Sequence, residues 1–218
     1  MIKNGFKKTK NGFLMDKIIN EFKIDYEINN GERLSIEYII LEGETSIRIF
    51  GEEFVRKNKN LCKYKNIDAD NEWKEIFGFY NCIRPYNQHV KLRVELAGVK
   101  NITNFSHMFD GSNHLIQINN IDILNSIEFT DLSYMFKECA SLLKIGDISN
   151  FKTDNVTNME GLFSGCQELR EVPDISKWNL NKATSIAFLF NECLSINSLP
   201  DFSKWNTSNV ENRSEERR

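Results

Sequence analysis

The chain has little proline, no strong excess of either charge and no long hydrophobic run. It holds 3 Pro among 218 residues, and its 28 basic and 31 acidic side chains give a net charge of −3. This near balance excludes the strongly basic surface of a dedicated nucleic-acid-binding domain. No stretch approaches the roughly 18 consecutive apolar residues of a membrane-spanning helix, so we predict no membrane insertion. Hydrophobic residues make up 40% of the chain, which is too many for wholesale disorder.

The first residues and the cysteines bear on the compartment. Residues 1–8 are basic, but no apolar segment of a secretory signal follows them. The sequence as written predicts a cytoplasmic protein, or a cell-surface protein if it is a fragment that has lost its leader. The 5 cysteines are an odd number in a long chain and include no Cys-x-x-Cys pair. Neither a disulfide framework nor a zinc site is therefore indicated.

An offset of 27 residues aligns the second half of the chain with itself. Apolar residues recur every 27 residues, as at Ile118, Ile145, Val172 and Leu199. So many aligned positions predict a repeat array in which neighbouring units bury a shared core. Buried packing is favoured for the aligned cysteines over a redox or metal role, and for the tryptophans over a sugar-binding platform. The aligned aromatic, thiol and indole positions, here called the structural ladder, are Phe109, Phe136, Phe163 and Phe190, then Cys139, Cys166 and Cys193, and then Trp178 and Trp205.

Each repeat reads as a short helix followed by an extended segment. Thr157 is placed to cap a helix whose apolar face holds Met159, Leu162 and Phe163 at the spacing i, i+3, i+4. Residues 169–175 carry apolar anchors in an extended pattern. We therefore predict an α/β fold, a solenoid of 27-residue repeats preceded by a small β-rich capping domain.

The sequence divides into four predicted parts. Residues 1–33 form a polar segment with one amphipathic helix near residues 14–22, and residues 34–99 a small β-rich (α+β) capping domain with alternating strands. About four repeats follow over residues 100–212, and residues 213–218 form a charged tail.

Two runs in the repeats, residues 151–159 and 172–179, strongly resemble the BspA-like leucine-rich repeats of bacterial surface proteins, mycoplasma lipoproteins and protist proteins. Residues 47–60 are also similar to a segment that precedes such arrays in protist proteins. The resemblance implies a right-handed leucine-rich-repeat solenoid used for protein contact or adhesion, with no catalytic residues to transfer. The first repeat departs from the pattern at Ser112, where the later ones have Cys, and the last repeat stops near Arg213.

Three patterns raise chemical alternatives. The aligned Asn120, Asp147, Asp174 and Asp201 could bind Ca²⁺, but turn capping is favoured because the glycine-rich spacing of calcium-binding arrays is absent. Residues 68–73 begin like an EF-hand loop, yet Trp73 stands where that loop needs glycine. The three histidines, His89, His107 and His114, fall at no recognisable catalytic spacing. We therefore predict no enzymatic activity, no cofactor and no metal.

The positions at which the repeats differ predict a binding face. These positions fall in the pairs 116–117, 143–144, 170–171 and 197–198, and the candidate interaction face consists of Gln117, Lys144, Arg170, Glu171 and Asn197. The leading hypothesis is a non-enzymatic leucine-rich-repeat protein that binds a protein partner through this face of the solenoid. The alternative is a cell-surface adhesin or lipoprotein-type module whose leader is missing from the sequence, and a third is an enzyme with its site in residues 34–99.

Overall fold

The computed structural model describes residues 32–69, 72–82 and 88–214. Strands and short helices occupy its N-terminal part, and turns with isolated β-bridges occupy the remainder. The elements in chain order are β1 (Leu34–Ile40), β2 (Ser46–Arg48), α1 (Glu52–Asn58), β3 (Lys63–Asn66), β4 (Lys74–Glu75), β5 (Phe79–Asn81), β6 (Val90–Ala97), a 3₁₀ helix (Val99–Asn101), β7 (Leu115–Ile118) and a second 3₁₀ helix (Ile121–Ser126).

Two antiparallel sheets organise these strands. The larger has the order β4-β3-β6-β1-β7, and the smaller pairs β2 with β5. β1 is flanked by β6 on one side and β7 on the other. Its alternate residues Leu34, Ile36, Tyr38 and Ile40 are buried, as the period-two pattern of a strand with one covered face requires. The buried Tyr38 hydroxyl donates to the Ile49 carbonyl oxygen at 2.5 Å.

Helix α1 packs the sheet region against the first repeat. Its buried Phe54 contacts the rings of Phe50 and Phe105 at centroid distances of 6.4 and 6.3 Å. Gly51 precedes the helix, and its N–H donates to the Met108 carbonyl at 3.0 Å. A Cβ at this position would lie 2.0 Å from the His107 carbonyl oxygen, so the approach of the two segments requires glycine.

Apart from β7 and the second 3₁₀ helix, residues 102–214 form a stack of turns and isolated bridges in 27-residue register. The N–H of Phe109 donates to the Met135 carbonyl at 2.8 Å, and that of Phe136 to the Leu162 carbonyl at 3.0 Å. These hydrogen bonds join residues 26 apart, and two series of parallel bridges join residues 27 apart. One series links Asn104, Asp131, Asn158, Ser185 and Asn212 in turn, and a second links Gln117 with Lys144 and Glu171 with Ser198.

The predicted α/β leucine-rich-repeat solenoid is wrong, because the fold is β-rich. Its regular secondary structure is mainly two antiparallel sheets, and α1 lies before the repeats. Among the described residues from 102 onward, no α-helix is found. The segments predicted as helices are turns, because alternate N–H groups donate to the following repeat and not to the carbonyl four residues back. Thr157 likewise does not cap a helix, since its N–H and hydroxyl both donate to the Thr130 carbonyl.

One hydrophobic core runs through the described chain, from Leu34 to Val210. Its centre is a column of stacked rings. Phe136 lies 5.6 Å from Phe109 and 5.7 Å from Phe163, with nearly parallel planes. The column continues to Phe190 at 5.7 Å.

Some predictions fall outside the described residues. The helix near residues 14–22 and most of the segment 1–33 belong to this group, as do Asp70 and Asn71 of the EF-hand alternative and most of the tail 213–218. The domain boundary at residue 99 stays a prediction. β7 belongs to the predicted repeat range, and it forms an edge of the five-stranded sheet.

Candidate functional site

An open groove of about 830 Å³ crosses the first three repeats, and we call it the repeat groove. Residues 117–119, 143–147 and 170–174 line it. A smaller cleft of about 380 Å³ shares Glu171, Val172 and Asp174 with it and reaches Asp201 of the fourth repeat. The two depressions together follow the direction in which the repeats stack.

The structure brings four members of the candidate interaction face together. Gln117, Lys144, Arg170 and Glu171 all line the repeat groove. Asn197 is exposed in the next repeat, and its N–H donates to the Arg170 carbonyl at 3.3 Å. The location of these residues is thus known, and their role in binding stays a prediction.

The series of backbone hydrogen bonds between successive repeats is interrupted beside the groove. Leu143 donates its N–H to the Ile116 carbonyl at 2.9 Å, and Asn197 makes the equivalent bond to Arg170. Between these two pairs, the equivalent bond from the N–H of Arg170 to the carbonyl of Leu143 is not formed in the described chain. No bridge joins Lys144 to Glu171 there either. The backbone pairing of the second and third repeats is therefore interrupted beside the groove.

A row of carboxylates borders the groove and its extension. Asp147, Asp174 and Asp201 each accept a hydrogen bond from the backbone N–H two residues later, at 2.9, 3.0 and 2.8 Å. The serines that donate these bonds hold the pKa values of all three carboxyls below the ordinary 3.8. The row is therefore fully ionised at neutral pH. These contacts are those of turn-capping side chains.

Two leucines expose apolar surface in the groove. Leu143 is 52% exposed in the main depression, and Leu199 is 55% exposed in the smaller one. Ile118 and Ile145, which line the main depression, are buried. The groove therefore combines a floor of packed aliphatic residues, exposed leucine side chains and charged borders.

Sequence reasoning assigned Leu199 and the carboxylate row to other roles. Leu199 aligns with the buried Ile118 and Ile145 and was expected in the core, but it lies in the last repeat with its surface uncovered. For the carboxylates, the sequence predicts only turn capping or calcium binding. Their strict 27-residue spacing was the signal available for an exposed charged row.

The cysteines and tryptophans of the structural ladder bond to the preceding repeat. Cys139, Cys166 and Cys193 direct Sγ to carbonyls thirty residues earlier, at 3.2, 3.2 and 3.0 Å. Trp178 and Trp205 do the same through Nε1, at 2.9 and 3.0 Å. All five cysteines are free thiols.

Burial governs the chemistry of these thiols. It raises the pKa of Cys62 to about 12 and the pKa values of Cys139 and Cys166 well above the ordinary 9.0. A thiol in this environment stays protonated at neutral pH, whereas a nucleophilic cysteine requires the thiolate.

The histidines pair with nearby polar groups. His107 Nδ1 lies 2.7 Å from Asp110, and His114 Nε2 lies 2.7 Å from Glu44. His89 accepts a hydrogen bond from the Glu42 N–H at 3.2 Å. Over the described ranges, no group of three or more His, Cys, Asp or Glu side chains is placed to hold a metal ion. None of the helices in the described part of the chain is both long and apolar enough to span a membrane.

Comparison with known proteins identifies a family and no individual relative. A family described as "Mycoplasma protein of unknown function, DUF285" matches residues 79–171 and 130–216. No curated protein and no solved structure matches the chain. The family match confirms the mycoplasma-type part of the resemblance seen in the repeats. Because the two matched segments together cover more than half of the 218 residues, the chain belongs to the DUF285 family of Mycoplasma-type proteins.

Proposed function

We propose that this chain is a non-enzymatic protein-binding module whose partner occupies the repeat groove. One observation carries the proposal: four residues from the two positions at which the repeats differ, Gln117, Lys144, Arg170 and Glu171, line the same open depression. Residues that only maintain the stack have the same contacts in every repeat, whereas a binding surface needs different side chains. The exposed Leu143 adds apolar area of the kind that binding surfaces bury.

Charge reversal in the groove tests this proposal. Lys144 and Arg170 are both exposed, so Lys144→Glu with Arg170→Glu changes the groove without disturbing the core. The matched control is Lys152→Glu with Lys182→Glu, two exposed lysines outside the groove that give the same change in net charge. Each protein is used as bait for chemical cross-linking in cells of the source organism, and captured proteins are quantified by mass spectrometry.

The expected result is a partner that the original chain and the control variant capture equally. The groove variant should capture it at least about tenfold less, which corresponds to about 1.4 kcal/mol. If every captured protein binds the groove variant as well as the control, the groove is not the binding surface.

A location at the cell surface is the second candidate. It is supported by the resemblance of residues 151–159 and 172–179 to BspA-like repeats of surface proteins and lipoproteins. Brief protease treatment of intact source cells should then remove the protein while a cytoplasmic marker survives. Survival of the protein together with that marker would exclude the surface location.

A further inference from the structure

The chemistry of the repeat groove indicates the kind of partner segment that fits it. We propose that the groove binds an α-helix of the partner protein, aligned with the stack, that carries one Lys or Arg per turn beside an apolar stripe. This inference rests on the proposed function, since it names the partner of the same groove.

The spacing of the repeats carries the first step. Successive phenylalanine rings of the stack lie 5.7 Å apart, and this distance is the advance of one repeat along the ring column. An α-helix advances about 5.4 Å per turn, which places one side chain per turn opposite one repeat. From one ring to the second ring after it, the column advances about 11 Å, as two turns of a helix do. An extended strand advances about 13 Å over the corresponding alternate residues, so its charges lose register.

The charges of the groove set the sign of the facing side chains. Asp147 and Asp174 border the main depression, and Asp201 borders its extension. Basic residues on the facing edge of a helix would pair with this row. Their spacing at one per turn distinguishes them from a randomly basic segment.

The bases of the groove orient the bound helix. Lys144 precedes Asp147 by three residues and Arg170 precedes Asp174 by four, so the two bases, with Glu171 beside Arg170, lie at one end of the segments that cross the groove, and the two aspartates lie at the other. A helix with one basic edge and one acidic or neutral edge is therefore accommodated in a single orientation.

Apolar contact completes the fit. Leu143 and Leu199 are each more than half exposed and lie in the two connected depressions. An apolar stripe next to the basic edge would cover both. Burial of this surface adds a hydrophobic contribution to binding, while the ionic contacts define the register.

Synthetic peptides test the inference directly. The first probe is a peptide of about 18 residues, long enough for an isolated helix, with Lys once per turn beside a Leu stripe. The second has the same composition, with the same number of Lys residues placed at alternate positions within one stretch, the pattern of a strand. Binding of each labelled peptide to the full chain is measured by fluorescence anisotropy at about 0.1 M salt.

The protein variants are chosen to leave the turns intact. The groove triple variant combines Asp147→Asn, Asp174→Asn and Asp201→Asn. Each new amide oxygen can still accept the backbone hydrogen bond, as Asn179 does from the N–H of Asn181 at 3.0 Å. The matched control combines Asp122→Asn, Asp154→Asn and Glu211→Gln, three exposed residues outside the groove. Both triple variants lose the same charge.

The helical-period peptide should bind the original chain and the control variant equally, and bind the groove triple variant about tenfold more weakly. The strand-period peptide should bind the original chain at least about tenfold more weakly than the helical one. Equal binding of the two peptides, or an equal loss in both triple variants, would overturn the helix assignment. If the helical peptide fails while cross-linking capture still depends on Lys144 and Arg170, the helix inference is wrong and the proposed function stands.

Discussion

At the scale of single residues, buried polar atoms tie each repeat to the one before it. The thiol of Cys166 reaches the Phe136 carbonyl at 3.2 Å, and the indole N–H of Trp178 reaches the Ile148 carbonyl at 2.9 Å. Both contacts span thirty residues of sequence. They satisfy groups whose burial without a partner would cost stability.

The buried thiols predict a loss of stability at alkaline pH. Burial raises the pKa of Cys166 in the folded chain, while the unfolded thiol keeps a value near 9. The contribution of this thiol is therefore fully present below pH 9 and is lost as the pH rises further, because the unfolded chain gains the thiolate. Cys166→Ala should be less stable than the original chain by about 1–2 kcal/mol at pH 8. That difference should narrow toward pH 11, as measured by urea unfolding followed through tryptophan fluorescence.

A comparison variant separates this effect from general alkaline unfolding. Cys82 is only half-buried, so Cys82→Ala should show a smaller difference from the original chain and less narrowing with pH. A difference between Cys166→Ala and the original chain that stays constant from pH 8 to 11 would contradict the assignment.

At the scale of elements, the turn in each repeat explains why a helix was predicted. Left-handed residues begin and end this turn, as at Tyr134 (φ 56°) and Glu138 (φ 57°) in the second repeat. The apolar spacing i, i+3, i+4 is the same in this turn as in a helix, so hydrophobic periodicity cannot separate the two. Gly111 and Gly165 align with Glu138, and Gly161 aligns with Tyr134. These glycines were the signal in the sequence for left-handed backbone at the two positions, since glycine adopts that region freely.

Substitutions at the two left-handed positions of the turn should have opposite effects on the free energy of unfolding. A Cβ at Gly161 would lie 2.5 Å from Cδ1 of the Tyr134 ring, so Gly161→Ala should lower the free energy of unfolding by about 1–3 kcal/mol. Glu138 occupies the slot that holds glycine at Gly111 and Gly165, and Glu138→Gly should raise stability by about 0.5 kcal/mol through relief of backbone strain. Urea denaturation of both variants measures the two values. A neutral Gly161→Ala would show that the ring moves aside without cost.

At the scale of the whole molecule, the repeat register was predictable and the connection to the sheet was not. The 27-residue offset aligns Phe109, Phe136 and Phe163 in the sequence, and these rings stack. The groove positions were also found, because they are the positions at which aligned repeats differ. By contrast, β7 pairs with β1 across about eighty residues of sequence, and the ring of Phe50 lies 6.1 Å from that of Phe109. Contacts this distant in sequence depend on the complete path of the chain.

This shared core predicts that the sheet and the repeats unfold together. Phe163 is fully buried between the rings of Phe136 and Phe190, so Phe163→Asp places an unpaired carboxylate in the column. The stack should unfold at neutral pH. Phe163→Leu is the matched control, which keeps the site apolar and should remain folded.

The readout is amide hydrogen exchange in β1, which is remote from the substitution in sequence. Because one core runs from Leu34 to Val210, unfolding of the repeats removes β7 from the edge of β1 and Phe109 from its contact with Phe50. The β1 amides should therefore lose protection in Phe163→Asp and keep it in Phe163→Leu. Persistent protection of β1 in a chain whose repeats have unfolded would instead establish residues 34–99 as a domain that folds alone.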